Sequence, residues 1–426
     1  MVKYPQADIL LIKPIYHNGA MRLWYNALGI QTGVDIMKYQ NADHILPKEL
    51  VQAIQQYVQG GYLYIPARGG PAISVTGYRM ELEKRDAHIY SKHLAGMRSK
   101  RLSEKYSLSE SSIRRIVLKQ RRAYMAMTGK ISRILFHWGL QDADIWQIYG
   151  TVWQVGRDRV LKVYQAPDIL ERNLKIMEVL GGMQIPVGKI VPTDDGRQYA
   201  SEDGTFYFLS EKLPGGSLVE LQDIRDAAAT MGEIIARLHI AFQKCEGHID
   251  FWHNSLLGEM NGWVRQRMEN GGWQYVSREE YDAAVSGLAA VYGELPVQPI
   301  HRDVHFGNFL FADGKFSGYI DFDLSQKNIR IFDLCYFLLG LLSEEEKLEI
   351  TEEQWFSFVG DVFAGYASRL ELSPAERAAV PCVMECIELL CAAYFDSIQD
   401  VRCAEDACKL FQFVRDRERG ILDAVR

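Results

Sequence analysis

The sequence predicts an α+β protein built from at least two folding units. The chain has 426 residues, which is more than a single hydrophobic core usually serves. Hydrophobic residues make up 48% of the chain, enough apolar material for more than one core. A basic, mainly helical segment comes first, strands with one helix follow, and the remainder reads as helices. Strands and helices segregated along the chain are typical of α+β units.

Composition predicts a globular cytoplasmic protein with no membrane partner. No run of about 18 uninterrupted apolar residues occurs, and the apolar run at residues 9–12 is too short for a signal sequence. Seven cysteines, five of them between Cys382 and Cys408, predict reduced thiols. Cys382, Cys386 and Cys391 lack a CxxC pair and lie in an apolar helical pattern, which favours buried thiols over metal ligands.

Charge is distributed unevenly along the chain. Residues 79–122 carry 13 Lys and Arg against 5 Asp and Glu, a balance of +8, and this leaves −15 for the rest of a chain whose total is −7. A small basic segment attached to an acidic remainder indicates a nucleic-acid-binding module.

The elements of the basic module follow from its apolar spacing. A helix is expected over residues 47–59, a short strand at YLYIP after Gly60-Gly61, and a long charged helix over residues 78–94. Two short helices, over residues 100–106 and 110–117, then flank the turn SLS and predict a helix-turn-helix. Its candidate DNA contacts are Lys100, Arg101, Ser111, Ser112, Arg114 and Arg115.

The segments LPKELVQAIQQYVQGGYLYIP, YRMELEKRDAHIY and LSEKYSLSESSIRRIV resemble the Mor-type transcription activators. The resemblance covers residues 37–122 and implies that the last two helices read DNA. A basic three-helix bundle with another partner is the alternative. Residues 1–36 fit neither module, so their place in the native protein stays open, and residues 123–127 are predicted to be a linker.

The second unit is predicted to start at residue 128. WQIYGTVWQV and DRVLKVY read as two strands, APDILERNLKIMEVL as a helix, and FYFLSEKLPGG as a strand running into a loop. Lys162 lies in the second strand and shares a face with Val160 and Tyr164, from which its ammonium can reach nucleotide phosphates. Gly150 and Thr151, in the preceding turn, are candidates to cover those phosphates.

The segments HRDVHFGN, at residues 301–308, and IDFD, at residues 320–323, carry the chemistry of phosphoryl transfer. Asp303 is the candidate catalytic base for an acceptor hydroxyl. Asn308 and Asp321 supply the oxygen donors that suit Mg²⁺. The candidate supporting residues around them are His301, Arg302, His305 and Asp323.

HRDVHFGNFLF, SGYIDFD, RIFDLCYFLLG, EKLPGGSL and ARLH resemble the aminoglycoside phosphotransferase and choline kinase superfamily. The resemblance implies a bilobal protein-kinase-like fold over residues 128–426, with a β-rich lobe at about 128–210 and a helical lobe at about 214–426. It also implies a hinge whose backbone meets adenine, and a structural aspartate at Asp333. The hinge candidates are Ser210, Glu211 and Lys212.

One position departs from the family pattern. The helix after the lysine strand usually carries a glutamate that pairs with the lysine, but Asn173 aligns there, with Glu171 and Glu178 nearby. The partner of Lys162 is therefore left open.

The expected activity is transfer of phosphate from ATP or GTP, with Mg²⁺, to a small hydroxylated acceptor. The path from Asp323 to Asp333 is too short for the activation loop of a protein kinase. Glu385, Glu388 and Asp396 could favour a cationic acceptor such as an aminoglycoside or amino alcohol. The alternative is a transcriptional regulator whose kinase-like domain senses a nucleotide or metabolite.

Overall fold

The computed structural model describes residues 85–426 except 87–88, 91, 95, 107, 219–220, 344–349 and 399. Within these residues the chain divides into two compact units, one ending at Leu135 and the other beginning at Phe136. The predicted leader at residues 1–36 lies outside the described residues. So do the helix at residues 47–59 and the YLYIP strand.

The N-terminal unit contains two helices where the helix-turn-helix was predicted, but the second is much longer than the expected residues 110–117. They are α1 (Ser99–Tyr106) and α2 (Glu110–Ile134). Ser109 begins α2, and its side-chain oxygen accepts a hydrogen bond from the backbone N–H of Ser112 at 3.1 Å, which satisfies one of the free N–H groups of the first turn. The two helices share a small core of Ile89, Leu102, Tyr106, Leu108, Ile113 and Ile116.

The structure corrects the predicted linker at residues 123–127. Helix α2 passes through these residues without a break and ends at Ile134. Gly129, which suggested a boundary, costs a helix only about 1 kcal/mol relative to alanine. The good helix formers around it and the burial of Ile131 and Ile134 offset that cost. The second compact unit begins at Phe136, later than the predicted residue 128.

A six-stranded antiparallel sheet opens the second unit. Its strands are β1 (Ile145–Tyr149), β2 (Val152–Val155), β3 (Arg159–Tyr164), β4 (Ile190–Val191), β5 (Ala200–Glu202) and β6 (Thr205–Glu211). Their order in the sheet is β1-β2-β3-β6-β4, and β5 also pairs with β6. Strands β3 and β6 pair over six residues, with Lys162 opposite Phe208.

One helix, α3 (Pro167–Gly182), accompanies this sheet. Pro167 stands in its first turn, where the missing N–H has no partner to lose. Its buried side recurs at helical spacing and includes Leu170, Leu174 and Met177, which join the main core. The same side carries Asn173 inward, and this placement matters for the site described below.

The rest of the unit is mainly helical, so the α+β prediction is confirmed. The helices are α4 (Leu221–Cys245), α5 (Leu256–Glu259), α6 (Arg265–Asn270), α7 (Arg278–Val291), α8 (Ile331–Ser343), α9 (Glu352–Ala367), α10 (Pro374–Ser397), α11 (Val401–Asp416) and α12 (Glu418–Ala424). Helices α4 and α9 cross so closely that a Cβ at Gly232 would lie 2.0 Å from the Val362 carbonyl oxygen, and one at Gly365 would lie 1.9 Å from that of Ala229.

Short strands hold the two motif loops beside each other. HRDVHFGN joins β8 (Val297–Ile300) to β9 (Phe309–Ala312), and IDFD joins β10 (Lys315–Tyr319) to β11 (Gln326–Ile329). Strand β9 pairs with β10, and β11 pairs with β8 and with β7 (Trp252–His253). Because both ends of the two loops are paired, residues about 20 apart in sequence meet in one site.

Helix α10 is the one helix of the described residues that is long and apolar enough to cross a membrane. Its apolar window has a mean hydropathy of 1.7, and 78% of that window is buried inside the structure, as in the core helix of a soluble fold. Cys382, Cys386 and Cys391 lie on it, and none of the seven cysteines, all of them among the described residues, forms a disulfide. In the part of the chain that the structure describes, no group of three or more His, Cys, Asp or Glu residues is arranged to hold a metal ion.

Candidate active site

Asp333 holds the start of the HRDVHFGN loop, the candidate catalytic loop. Its carboxylate accepts hydrogen bonds from the backbone N–H groups of His301 at 2.8 Å and Arg302 at 2.9 Å. The His239 ring lies 3.0 Å from the same carboxylate, and both side chains are fully buried. Arg302 adopts a positive φ of 73°, a conformation that costs a non-glycine residue free energy and needs such support.

Arg302 also makes a buried ion pair that the sequence did not reveal. Its Nη2 lies 2.7 Å from Oε2 of Glu259, at the end of α5, with side-chain exposures of 1% and 5%. The guanidinium stacks 4.2 Å from the centre of the Phe332 ring. The pair therefore fixes the residue immediately before Asp303.

Two donors orient the Asp303 carboxylate. Tyr336 donates its hydroxyl to Oδ1 at 3.1 Å, and Asn308 donates Nδ2 to Oδ2 at 3.1 Å. Burial and the adjacent Asp303 raise the pKa of Tyr336 well above its usual range, so the phenol keeps its proton. Nε2 of His305 lies 3.5 Å from Oδ2, too far for a strong hydrogen bond. Tyr336 has no signal in the motif because it lies 33 residues later.

His301 links the two motif loops. Its Nε2 lies 3.1 Å from the Ile320 carbonyl oxygen, and its Nδ1 lies 3.4 Å from the backbone nitrogen of Asp303. Burial lowers the pKa of His301, which leaves the ring neutral at pH 7. A neutral ring with a proton on Nε2 satisfies both contacts.

The metal candidates Asn308 and Asp321 lie on these adjoining loops. The Nδ2 group of Asn308 is used on Asp303, so its Oδ1 oxygen points away from that carboxylate. The backbone N–H of Ile320 donates to the Asn308 carbonyl at 3.0 Å, which brings Asp321 beside it. One amide oxygen and one or two carboxylates, completed by phosphate oxygens, are a donor set that fits Mg²⁺.

Lys162 lies between the two aspartates of IDFD. Its Nζ is 2.9 Å from Oδ1 of Asp321 and 2.6 Å from Oδ2 of Asp323. Burial raises the pKa of Asp323, and the Lys162 ammonium opposes that rise. The carboxylates that pair with Lys162 therefore come from the IDFD loop. Glu171 instead accepts from Tyr199, and Glu178 pairs with Lys175 on the surface.

Tyr164, for which the sequence motifs predict no role, completes this cluster. The Tyr164 hydroxyl donates to Oδ1 of Asp323 at 2.6 Å and accepts from Nδ2 of Asn173 at 3.0 Å. Burial and the Asp323 charge raise the pKa of Tyr164 well above its usual range, so it remains a donor. The alternation of β3 predicted that residues 162 and 164 share a face, but it did not reveal the hydrogen bond of Tyr164 to Asp323.

The phosphate-covering candidates lie in the β1–β2 turn. Gly150 has φ +46°. The carbonyl of Thr151 accepts from the Val163 N–H at 3.0 Å, which places the turn beside the Lys162 strand. Within the described residues, the Thr151 hydroxyl is buried and has no hydrogen-bond partner, so it is available to a ligand.

The hinge candidates lie at the end of β6 and just after it. The N–H of Glu211 donates to the Lys189 carbonyl at 2.8 Å, and the N–H of Lys212 donates to the Asp158 carbonyl at 2.8 Å. Neither N–H can bind an adenine without losing an internal bond. Ser210 is buried in the strand, and its side chain lies beside Gly188.

The DNA-binding candidates lie on α1 and at the start of α2. Arg114 pairs with Glu110 at 3.0 Å, while Ser112 is half-buried at the helix cap. A cavity with a volume of about 220 Å³ lies beside α2 and is lined in part by Ser112, Arg115 and Lys119. The candidates exposed to solvent are Lys100, Arg101, Ser111, Arg114 and Arg115.

Comparison with known proteins identifies two families in the chain. Residues 145–379, more than half of the chain, match the phosphotransferase enzyme family, and residues 31–130 match the Mor transcription activator family. The chain is 30% identical over 193 residues to a homoserine kinase of Gluconobacter oxydans, covering 44% of this chain and 58% of the kinase. It is also 37% identical over 87 residues to the uncharacterized protein YraL of Bacillus subtilis, a match that covers 19% of this chain and 97% of YraL.

Solved kinases share the fold of the second unit. The amicoumacin kinase hAmiN, in complex with AMP-PNP, Ca²⁺ and Ami, has a TM-score of 0.53 and 18% identity, covering 72% of this chain and 96% of that one. A microcompartment-associated aminopropanol kinase has a TM-score of 0.52 and 20% identity, covering 68% and 98%. At such identities the likeness shows the fold alone, and it confirms the predicted bilobal kinase-like architecture.

The chain spans less than two thirds of the homoserine kinase that it matches, and the match to the Mor family lies in its N-terminal part. Both resemblances drawn from the sequence are confirmed. The match that covers residues 145–379 includes Lys162 and both motif loops, and with it the chain belongs to the phosphotransferase enzyme family.

Proposed function

We propose that this chain is a small-molecule kinase that transfers the γ-phosphoryl group of ATP or GTP to a hydroxyl group. The observation that carries the proposal is the meeting of Lys162, Asp303, Asn308 and Asp321 at two adjoining loops, with the Asp303 carboxylate held by two donors. Phosphoryl transfer relies mainly on such positioning and on electrostatic stabilisation.

Asp303 orients the acceptor in this proposal. With Tyr336 and Asn308 each bound to one of its oxygens, the carboxylate cannot rotate freely, and it accepts the acceptor hydroxyl proton as the oxygen attacks phosphorus. Lys162 grips the nucleotide phosphates, and the unpartnered Thr151 hydroxyl adds a donor above them. Asn308 and Asp321 would hold Mg²⁺, which supplies neutralisation of phosphate charge.

A small amino alcohol is the proposed acceptor class. The relatives named above include a homoserine kinase and an aminopropanol kinase, whose named substrates each carry a hydroxyl and an amino group. In this chain β11 and α8 follow Asp323 at once, which leaves no length for a peptide-docking loop. Of the acidic residues considered for an amine, Asp396 is bound to Arg267 and Tyr275, and Glu388 is buried.

Nucleotide-dependent turnover tests the enzyme. ADP release would be measured with Mg²⁺ and a panel of amino alcohols and aminoglycosides, for the wild type, Asp303→Asn and Asp313→Asn. Asp313 is an exposed hairpin residue with positive φ, a conformation that asparagine tolerates. We expect Asp303→Asn to lower turnover by about 10²–10⁴-fold, with Mg²⁺·ADP still bound. Equal turnover by the two variants would remove Asp303 from the mechanism.

We also propose that the N-terminal unit binds DNA, on the strength of the Mor match and the basic residues exposed on α1 and α2. In the full-length chain, Arg115→Ala should weaken DNA binding. It should also reduce the slope of log K against log[salt] by about 0.9, the contribution of one phosphate contact. Lys175→Ala, an exposed lysine of the kinase unit, is the control. Binding that is absent at low salt would exclude the DNA partner.

The Mor match also favours a second candidate, a transcriptional regulator whose kinase-like unit senses a nucleotide or metabolite. The two candidates separate on turnover. A wild type that binds nucleotide yet releases no ADP with any acceptor of the panel would support the sensor. Turnover that depends on Asp303 would support the kinase.

A further inference from the structure

Helix α3 brings an amide, and no carboxylate, to the lysine cluster. Asn173 is 3% exposed on the buried side of the helix. The two nearby glutamates are turned to solvent, where Glu171 meets Tyr199 and Glu178 meets Lys175. The helix therefore contributes no ion pair to Lys162.

The amide instead reaches the lysine through a chain of three hydrogen bonds. Asn173 donates to the Tyr164 hydroxyl at 3.0 Å, Tyr164 donates to Oδ1 of Asp323 at 2.6 Å, and Lys162 donates to Oδ2 of Asp323 at 2.6 Å. All four side chains are buried. The two oxygens of Asp323 are thus held from opposite sides, and the carboxylate that meets the lysine is fixed in orientation.

A second contact ties the same part of α3 to the loop that carries Asp323. The Arg172 guanidinium lies 3.3 Å from the centre of the Trp252 ring. Trp252 pairs in register with Gln326, which follows Asp323 by three residues. Arg172 and Asn173 therefore connect α3 to the segment at residues 323–326 by two routes, one through Trp252 and one through Tyr164.

The charges explain why a neutral chain suits this position. Lys162 already faces two carboxylates, Asp321 and Asp323. A third carboxylate from α3 would add a further negative charge beside Asp323 in a buried site, which is costly. A tyrosine hydroxyl and an amide complete the hydrogen bonding of Asp323 without adding charge.

We propose that Tyr164 and Asn173 are positioning residues that hold Asp323, and through it Lys162, for nucleotide binding. This hydroxyl relay takes the place of a helix glutamate. It rests on the proposed function, since its effect is exerted on the lysine that grips the nucleotide.

The test is direct binding of Mg²⁺·ADP by calorimetry with the full-length chain. Tyr164→Phe removes only the hydroxyl. Tyr199→Phe is the matched control, because its hydroxyl also bonds to α3, at 2.9 Å from Glu171, but on the outer face. We expect Tyr164→Phe to raise the Kd about tenfold and Tyr199→Phe to leave it unchanged.

Asn173 provides two further variants. Asn173→Ala should raise the Kd about three- to fivefold, and the double variant with Tyr164→Phe should be no worse than Tyr164→Phe alone, because both act through one chain. Asn173→Glu should bind more weakly than Asn173→Ala, since its carboxylate would face Asp323.

The outcomes separate the relay from the function on which it rests. If the wild type binds Mg²⁺·ADP and Tyr164→Phe binds like Tyr199→Phe, or if Asn173→Glu binds as tightly as the wild type, the relay is overturned alone. A wild type that does not bind overturns the proposed function and the relay with it. Thermal midpoints without nucleotide would show that each variant is folded. Should Tyr164→Phe not fold, Asn173→Ala and Asn173→Glu decide the matter.

Discussion

The buried ion pair between Glu259 and Arg302 yields a sharp prediction about stability. Glu259→Gln keeps the size of the side chain and an acceptor oxygen but removes the charge. The Arg302 guanidinium, 1% exposed, would then be buried without a counter-ion. Within the described residues its Nη1 already has no hydrogen-bond partner, so losing the charged partner at Nη2 would leave the guanidinium still less compensated.

Breaking a buried pair in this way costs about 3–5 kcal/mol. For a folding unit of this size, each kcal/mol lowers the melting temperature by about 2 °C, so we expect a fall of roughly 6–10 °C. The matched control is Glu233→Gln, which removes a carboxylate from an ion pair with Arg369 at 2.9 Å. That pair is 39% and 56% exposed and is worth at most about 1 kcal/mol.

Differential scanning calorimetry of the two variants and the wild type makes the comparison. The transition of the kinase unit would be followed, because a chain with two units need not melt in one step. We also expect Glu259→Gln to lower turnover, since Arg302 directly precedes Asp303. If Glu259→Gln melts within about 2 °C of Glu233→Gln, the pair does not stabilise the fold as argued.

Two further predictions concern packing and pH. Gly365→Ala should destabilise the α4–α9 crossing, where the new Cβ would lie 1.9 Å from the Ala229 carbonyl oxygen. A Cβ at Gly129 would have no heavy atom within 4 Å, so Gly129→Ala should stabilise α2 by about 1 kcal/mol. If the two variants shifted the melting temperature equally, both predictions would be contradicted. Burial raises the pKa of Glu388 to about 8 from 4.5, so the folded state keeps the proton that the unfolded chain releases above pH 4.5. Stability present below that pH is therefore lost as the pH rises to 8, by an amount on the order of a few kcal/mol. Glu388→Gln should lack this loss, and parallel profiles of melting temperature against pH would refute the assignment.

Local sequence patterns predicted that most residues of the candidate site meet, because these residues are close in the chain. HRDVHFGN contains Asp303 and Asn308, and IDFD follows within 20 residues, so spacing alone indicated that they share a site. The alternation of β3 likewise placed Lys162 and Tyr164 on one face. The helix-turn-helix was predictable from its turn chemistry, with Ser109 as the cap.

Errors arose where local signals were weighed without packing. Gly129 suggested a break, yet α2 continues through it because buried isoleucines on the following turn offset the cost of one glycine. At the hinge candidates Glu211 and Lys212, the backbone N–H groups donate to the carbonyls of Lys189 and Asp158, and the hinge itself stays a prediction. Neither partner is near in sequence, so no pattern could reveal it.

The sequence by itself determined the fold class, the resemblance to the phosphotransferase enzyme family and to the Mor family, and the candidate residues for phosphoryl transfer, because those depend on residue types at short spacing. Only the tertiary structure decided which groups hold them. Three residues of α3 competed as partners of Lys162, and successive helix positions differ by about 100° in direction. The rotation of the packed helix therefore selected Asn173, and the Tyr164 hydroxyl connects it to Asp323 across 159 residues of chain.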